Sequence, residues 1–346
     1  MIVTVTLNPA LDLTYTVDAL IPHGTHRVAA VAERPGGKGL NVAAVLHTLG
    51  EPVLATGLLG GTTGGRVTAL LRENGVPSAF TRIAGETRRT VAVADPADAT
   101  GFWEPGPRIT AGEWAAFVSH FRGLLGRASV VALSGSLPPG IPADGYAVLI
   151  RLAGVAGVRT VLDTSGEALR HGLAAGPDLA KPNALELSTL LSATADPTGA
   201  HRPAAALDPA GAHRPAADPD LAHRPAVDPD LAHQPAADTD LADAGKALAM
   251  GARAVVVSRG PRGLLALSQE GAWRGVPPER MVGNPTGAGD ACVAALSRGL
   301  RDKTPWPDLL ADAVALSAAA VVSPIAGAVD QDTYHRLRPA VRVDPA

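Results

Sequence analysis

Short runs of β-branched and aliphatic residues alternate along the chain with longer stretches in which apolar positions recur every three to four residues. The apolar runs predict strands at 2–7, 53–58, 129–133, 160–163 and 254–258. The helical periodicity predicts helices over 41–49, 64–74, 111–125, 143–153, 241–250, 288–300 and 306–322. The strand candidates are apolar almost throughout, so each needs cover on both faces. Strand followed by helix, repeated, therefore predicts an α/β fold with a doubly wound, mostly parallel sheet and helices on both faces. Such sheets bind ligands at the carboxyl ends of their strands. Two stretches, 14–35 and 90–102, alternate polar and apolar residues instead, as a half-exposed antiparallel flap does, and predict a small β-sheet lid.

The pattern lapses over 196–240, where the chain reads HRPAAALDPAGA, HRPAADPDLA, HRPAVDPDLA and HQPAADTDLA. A proline every four to six residues cannot continue a helix, and without aromatics the segment buries too little to offset its ordering entropy. A disordered insert is expected. It holds 8 of the 30 prolines and a local charge of −5 against −3 for the whole chain, so the remainder is close to neutral. Its histidines, His201, His213, His223 and His233, invite a metal reading, but a ten-residue spacing in such a chain brings no ligands together in advance. Tandem expansion in a tolerant surface loop is the plainer account.

At 346 residues the chain is one large domain or a domain with an appendage. A net charge of −3 gives no reason to expect nucleic acid or an anionic membrane as partner. One cysteine, Cys292, excludes a disulfide framework and fits a reducing compartment. No stretch approaches 18 uninterrupted apolar residues, and the opening residues do not read as a signal peptide, so a cytoplasmic location is expected.

Four glycine-containing loops carry the candidate chemistry. Asn284-Pro285-Thr286-Gly287-Ala288-Gly289-Asp290 runs straight into an Ala-rich helix. Pro285 forbids an earlier helix start, and the glycines let the free N–H groups of the first turn meet a ligand, which makes an anion site. A carboxylate beside such a site, Asp290, is electrostatically awkward unless it handles a proton. Read alone it is more readily an ordinary N-terminal helix acid. Gly36-Gly37-Lys38-Gly39-Leu40-Asn41 also precedes a helix but lacks the Gly-Lys-Ser/Thr of a P-loop, and Asn41 reads as an N-cap as readily as a ligand. Ser134-Gly135-Ser136-Leu137-Pro138-Pro139-Gly140 closes a strand without the Gly-x-Ser-x-Gly order of a hydrolase elbow. Ser258-Arg259-Gly260-Pro261-Arg262-Gly263 suits a nucleotide-binding turn or a hairpin equally.

Together and in this order, these loops resemble the ribokinase-like PfkB family of sugar kinases. The match starts at Thr6-Leu7-Asn8-Pro9-Ala10-Leu11-Asp12. It continues through 36–43, Thr87-Arg88, 134–140, 163–169, Lys181-Pro182-Asn183 with Glu186, 258–263 and 286–290. The early Leu-Asn-Pro-Ala-x-Asp and the Lys within the glycine loop resemble the 1-phosphofructokinase and tagatose-6-phosphate kinase branch most. The resemblance implies a single kinase domain with a lid at about 12–35 and 87–104, and transfer of the ATP γ-phosphoryl group to a sugar hydroxyl.

Residue by residue it implies Asp290 as the base, and the N–H groups of Gly287, Ala288 and Gly289 as an anion hole. It implies Asn183 and Glu186, taken as three apart on one helix face, as the pair that positions Mg2+ and triphosphate, Glu186 through water. Lys181, Ser258, Gly260 and Gly263 match nucleotide contacts, and Asp12, Gly37, Asn41 and Ser136 match sugar contacts. Lys38 and Arg88 are the expected neutralisers of the substrate's own phosphate, with Arg89 a rival to Arg88. A homodimer through the lid is expected. The Asn284-Pro285 pair departs from the family's usual spelling, so no monovalent cation is assigned. The expected reaction is fructose 1-phosphate to fructose 1,6-bisphosphate. Tagatose 6-phosphate or fructose 6-phosphate are alternatives, and a non-catalytic sugar-phosphate sensor is the alternative of another class.

Overall fold

All five residues of β1 (Ile2–Thr6) are buried, and the strand pairs in parallel with β4 (Val53–Gly60) on one side and β8 (Val130–Ser134) on the other. A strand apolar on both faces is stable only in the middle of a covered sheet. The computed structural model, which describes residues 1–195, 237–323 and 325–346, builds a ten-stranded sheet outward from β1. Beyond β4 lies β5 (Ser78–Ile83). Beyond β8 come β9 (Arg159–Asp163), β10 (Leu179–Ala180), β11 (Ala254–Ser258), β12 (Leu264–Ser268), β13 (Gly271–Val276) and β14 (Arg342–Pro345). Pairing is parallel from β5 to β11 and antiparallel from β11 to β14.

Strand alternation divides the core in two. Ile2, Val130, Val161 and Val256 join one hydrophobic cluster while Val3, Val131, Leu162 and Val255 join the other. The first is completed by α1 (Lys38–Thr48), α2 (Gly61–Glu73), α8 (Ala288–Asp302), α9 (Trp306–Val321) and α10 (Gln331–Leu337). The second is completed by α3 (Ala111–Leu125), α4 (Gly145–Val155), α5 (Gly166–Ala174), α6 (Ala184–Ala195) and α7 (Ala237–Ala249). The doubly wound expectation is borne out. Among the described residues, no helix is long and apolar enough to cross a membrane.

The alternating stretches form a second sheet in the order β3 (Ala30–Gly36), β2 (Ala10–Thr16), β6 (Arg88–Ala94), β7 (Ala99–Trp103). One expectation is corrected here. The outer pairs are antiparallel, but β2 and β6 run parallel, Asp12 opposite Thr90. They reach the sheet by separate crossovers and not by one hairpin, so the flap is mixed. A second correction concerns the expected insert over 196–240. Residues 196–236 lie outside the described residues, while 237–240 belong to α7, and Asp240 is 2% exposed.

Candidate active site

Four strand ends meet at one edge of the main sheet. Ser134 ends β8, Asp163 ends β9, Lys181 follows β10 and Ser258 ends β11. A cleft of about 1060 Å³ opens above them. It gathers Lys38, Asn41, Lys181, Asn183, Glu186, Ser258, Gly260, Gly263, Gly287, Ala288, Gly289 and Asp290, all anticipated from sequence. The turn at 258–263 is the hairpin joining β11 to β12, and it also forms part of the cleft wall.

The segment before α8 is shaped by its own side chains. Asn284 Oδ1 accepts from the Thr286 N–H at 3.0 Å, and the Pro285 carbonyl accepts from the Ala288 N–H at 3.1 Å. Gly287 then takes φ 92°, a left-handed conformation, and a Cβ there would lie 2.8 Å from both Cα and Cβ of Ala326. Conformation and space together require glycine. In this structure the Ala288 amide is already engaged, which leaves Gly287 and Gly289 as the loop amides without a partner among the described residues. Asp290 follows in the first turn of α8, 6% exposed, and accepts from Asn41 Nδ2 at 2.8 Å. Burial pushes its carboxyl up to about 7, with Asp163 adding to the rise, against the Asn41 hydrogen bond and the positive charges of Lys38 and Lys181. A carboxyl poised near neutrality, at a helix N-terminus lined by free amides, is suited to accept a proton where negative charge is handled. Two residues on, Cys292 is buried and its thiol is raised to about 11, chiefly by burial, so it serves as a packing residue.

Behind Asp290 lies a cluster of charges. Asp163 is 1% exposed, and its Oδ1 stands 3.4 Å from both Lys38 Nζ and Lys181 Nζ. Its Oδ2 is buried with no hydrogen-bond partner among the described residues. Lys181 is itself 4% exposed, and burial alone would push its ammonium down. Asp163, joined by Cys292, Glu186 and Asp290, outweighs that and holds it above the ordinary lysine range. Lys38 also lies 3.9 Å from Glu186 Oε1. Lys38, expected on the sugar side, is thus paired here with Asp163 and Glu186.

Asn183 and Glu186 do not share a helix face as expected. Asn183 precedes α6 and caps it, for its Oδ1 accepts from the Glu186 N–H at 2.7 Å and Glu186 Oε2 accepts from the Asn183 N–H at 2.9 Å. The spacing of three is a reciprocal capping box. It leaves Glu186 Oε1 directed at Lys38 and ties Asn183 to Ser258 through a parallel bridge.

Asp12, Gly37, Arg88 and Ser136 stand apart from the cleft lining. Strand register puts Asp12, Arg34, Thr90 and Arg88 on one face of the second sheet and Arg89 on the other. Arg88 donates to the Asn8 and Glu104 carbonyls at 3.2 and 3.3 Å, while Arg89 is 53% exposed beside Glu104. Burial raises the Asp12 carboxyl, opposed mainly by Arg34, whose Nη2 is 3.3 Å from Asp12 Oδ2. Arg34 also donates to the Ala326 carbonyl, on the loop that packs against Gly287. Ser136 accepts from Asn8 Nδ2 at 3.1 Å, and Gly37 forms the N-cap of α1 next to Lys38. Sequence reasoning assigned no role to Asp163, Arg34 or Asn8. A carboxylate closing an otherwise apolar strand was the signal for Asp163. Nothing in the spacing of Arg34 distinguished it from a surface arginine.

The fold and this site together define a phosphotransferase acting on carbohydrate. The chain belongs to the pfkB family of carbohydrate kinases, whose profile matches residues 5–214 and 230–332. Among solved structures, phosphofructokinase-2 from Escherichia coli in complex with potassium is similar at 29% identity and a TM-score of 0.80, covering 98% of each chain. The same enzyme in complex with fructose-6-phosphate gives 29% and 0.78, again over 98% of each. The fold is shared by the "Possible 1-phosphofructokinase" of Thermotoga maritima, at 23% identity, a TM-score of 0.77 and coverage of 100% of this chain and 99% of that one.

Proposed function

We propose that the protein transfers the γ-phosphoryl group of ATP to a hydroxyl of a ketohexose monophosphate, with fructose 1-phosphate as the preferred substrate and fructose 1,6-bisphosphate as product. The observation that carries this is the position of Asp290. It is a neutral-poised carboxyl in the cleft wall beside the Gly287 and Gly289 amides, and the arginine-bearing second sheet reaches this loop through Arg34, which donates to the Ala326 carbonyl next to Gly287.

In this reading Asp290 takes the proton from the attacking hydroxyl as its oxygen bonds to the γ-phosphorus and the bond from phosphorus to the ADP oxygen breaks. The free amides of Gly287 and Gly289 face the charge that builds on the transferred group, and Lys38 offsets it from the side. The 258–263 turn, Lys181 and Asn183 hold the nucleotide. Arg88 and Arg34 neutralise the phosphate already on the sugar, Asp12, Gly37 and Asn41 hydrogen-bond its hydroxyls, and Ser136 lies beside them through Asn8.

Mg2+ fits these residues. Among the described residues there is no group of three or more metal-ligating side chains, but Mg2+ in kinases is held by one or two carboxylates, water and phosphate. Asp163, whose Oδ2 has no hydrogen-bond partner among the described residues, and the nearby Glu186 would supply the carboxylates. When bound, the ion draws charge from the β- and γ-phosphates.

The assay is ADP release with fructose 1-phosphate, tagatose 6-phosphate, fructose 6-phosphate and fructose. The reading expects the highest kcat/KM on fructose 1-phosphate. Preference for another ketohexose phosphate moves the substrate within the class, and preference for fructose removes the roles given to Arg88 and Arg34. The 196–236 segment takes no part, so excising it with α7 kept whole leaves these constants unchanged. A cytoplasmic setting accords with the lone thiol.

A homodimer through the second sheet is part of the reading. It is supported by Val31 and Phe102, exposed at 59% and 57% on the face of that sheet opposite Asp12. One E. coli phosphofructokinase-2 structure is described as a tetrameric inhibited form. Sedimentation of wild type against Phe102→Ser reads the association directly, with a dimer expected for the first only.

A further inference from the structure

The hairpin turn after β11 is braced from behind by an acid that lines no part of the cleft. Asp240, in α7, is 2% exposed, and its Oδ2 lies 3.5 Å from Arg262 Nη2 and 3.9 Å from Arg259 Nη1. Arg259 is 5% exposed and donates through Nη2 to the Arg262 carbonyl at 3.1 Å. The backbone between them is closed by Arg259 N–H to the Gly263 carbonyl and Gly263 N–H to the Gly260 carbonyl, both 3.0 Å. Gly263 has φ 79°, and a Cβ there would lie 2.1 Å from the Gly275 carbonyl, so the turn sits tightly on β13. Also on β13, Arg274 adds a third guanidinium. Burial first, then repulsion by Arg274 and Arg262, works against the charge on Arg259, and Asp240 is the acid that offsets it.

We propose that Asp240 is a positioning residue for nucleotide binding. Its carboxylate holds Arg259 and Arg262 together and so keeps the turn carrying Gly260 and Gly263 in the shape that receives ATP. This rests on the reading of the cleft as an ATP site. Buried Arg259 and partly exposed Arg262 are like charges that repel each other without their shared acid, and removing the acid from a buried arginine strongly perturbs its surroundings. The repulsion is relieved by moving the turn that bears both arginines. Nothing on the sugar side touches Asp240, so the effect falls on the nucleotide alone.

The test is Asp240→Asn in the full-length chain, with steady-state kinetics, ADP calorimetry and melting measured side by side. KM for ATP and Kd for ADP are expected to rise about tenfold, with kcat and KM for the sugar phosphate within twofold, and Asp240→Glu to recover most of the loss. Unchanged or tighter ADP binding in a variant that melts like wild type overturns the proposal. So does an equal loss on both substrates. Should Asp240→Asn not fold, Arg262→Gln, 35% exposed, carries the test, and an unaltered KM for ATP there is equally contrary. A wild-type chain that neither binds ADP nor turns over ATP refutes the kinase reading instead, so the two failures are distinguishable.

Discussion

Asn41 and Asp290 lie 249 residues apart in the chain and meet inside it, Asn41 Nδ2 donating to Asp290 Oδ2 at 2.8 Å. The contact joins the first glycine loop's helix to the last one's. A hydrogen bond to a charged group is worth roughly 1.5–3 kcal/mol. This one favours the ionised carboxylate, which is the form that accepts a proton. Asn41→Ala is therefore expected to lower kcat about 10- to 100-fold and to move the acidic limb of the pH profile upward by about one unit. A pH–rate series on both proteins checks it.

The pH profile of the wild type follows from Asp290 titrating near 7. The base works deprotonated, so kcat/KM rises through about pH 7 and levels off above it. Stability has the opposite slope. Folding raises this carboxyl above its unfolded value, so its contribution is greatest below the unfolded pKa and is lost as pH rises through about 7. Asp290→Asn, with no charge to bury, should melt above wild type at pH 8 and converge with it near pH 4. Differential scanning fluorimetry across that range measures the crossing.

Two glycines of one loop should respond differently to the same change. At Gly287 alanine meets φ 92° and a backbone carbon at 2.8 Å, whereas at Gly289 the nearest atom to a Cβ is Lys181 Nζ at 3.6 Å. Left-handed strain of about 1–2 kcal/mol and overpacking of about 1–3 kcal/mol then fall on the first alone. Gly287→Ala should lose several degrees of Tm and at least 100-fold in kcat. Gly289→Ala should keep its Tm.

Neighbouring arginines should also separate. Arg88 shares a sheet face with Asp12 and Arg34, and Arg89 points the other way. Arg88→Gln and Arg34→Gln are expected to raise KM for the sugar phosphate about tenfold or more. Arg89→Gln should stay within twofold, as exposed ion pairs contribute little.

What was legible in the sequence follows the range of the interactions involved. Pro285, the paired glycines and Asp290 are local signals, and they indicated a helix start with an acid at it. The apolar runs at β1, β8 and β11 indicated a covered parallel sheet. β10 has only two residues and no periodicity to read. The order of strands alone brings Lys38 beside Asp163, 125 residues away, so that acid's two lysine partners were hidden. The spacing of Asn183 and Glu186 was visible, but a capping box and a shared helix face look alike as letters until the helix start is known. The parallel pairing of β2 with β6 was invisible for a similar reason, since alternation fixes which face a residue takes and not which strand lies alongside.

The account turns on Asp290 as the acceptor of the sugar hydroxyl's proton, and Asp290→Asn tests this most directly with ADP release and nucleotide and sugar-phosphate binding measured on one preparation. The expected result is a fall in kcat of about 10²–10⁴-fold, the range of general base catalysis, with both dissociation constants within about threefold of wild type. Turnover at the wild-type rate with intact binding would contradict it.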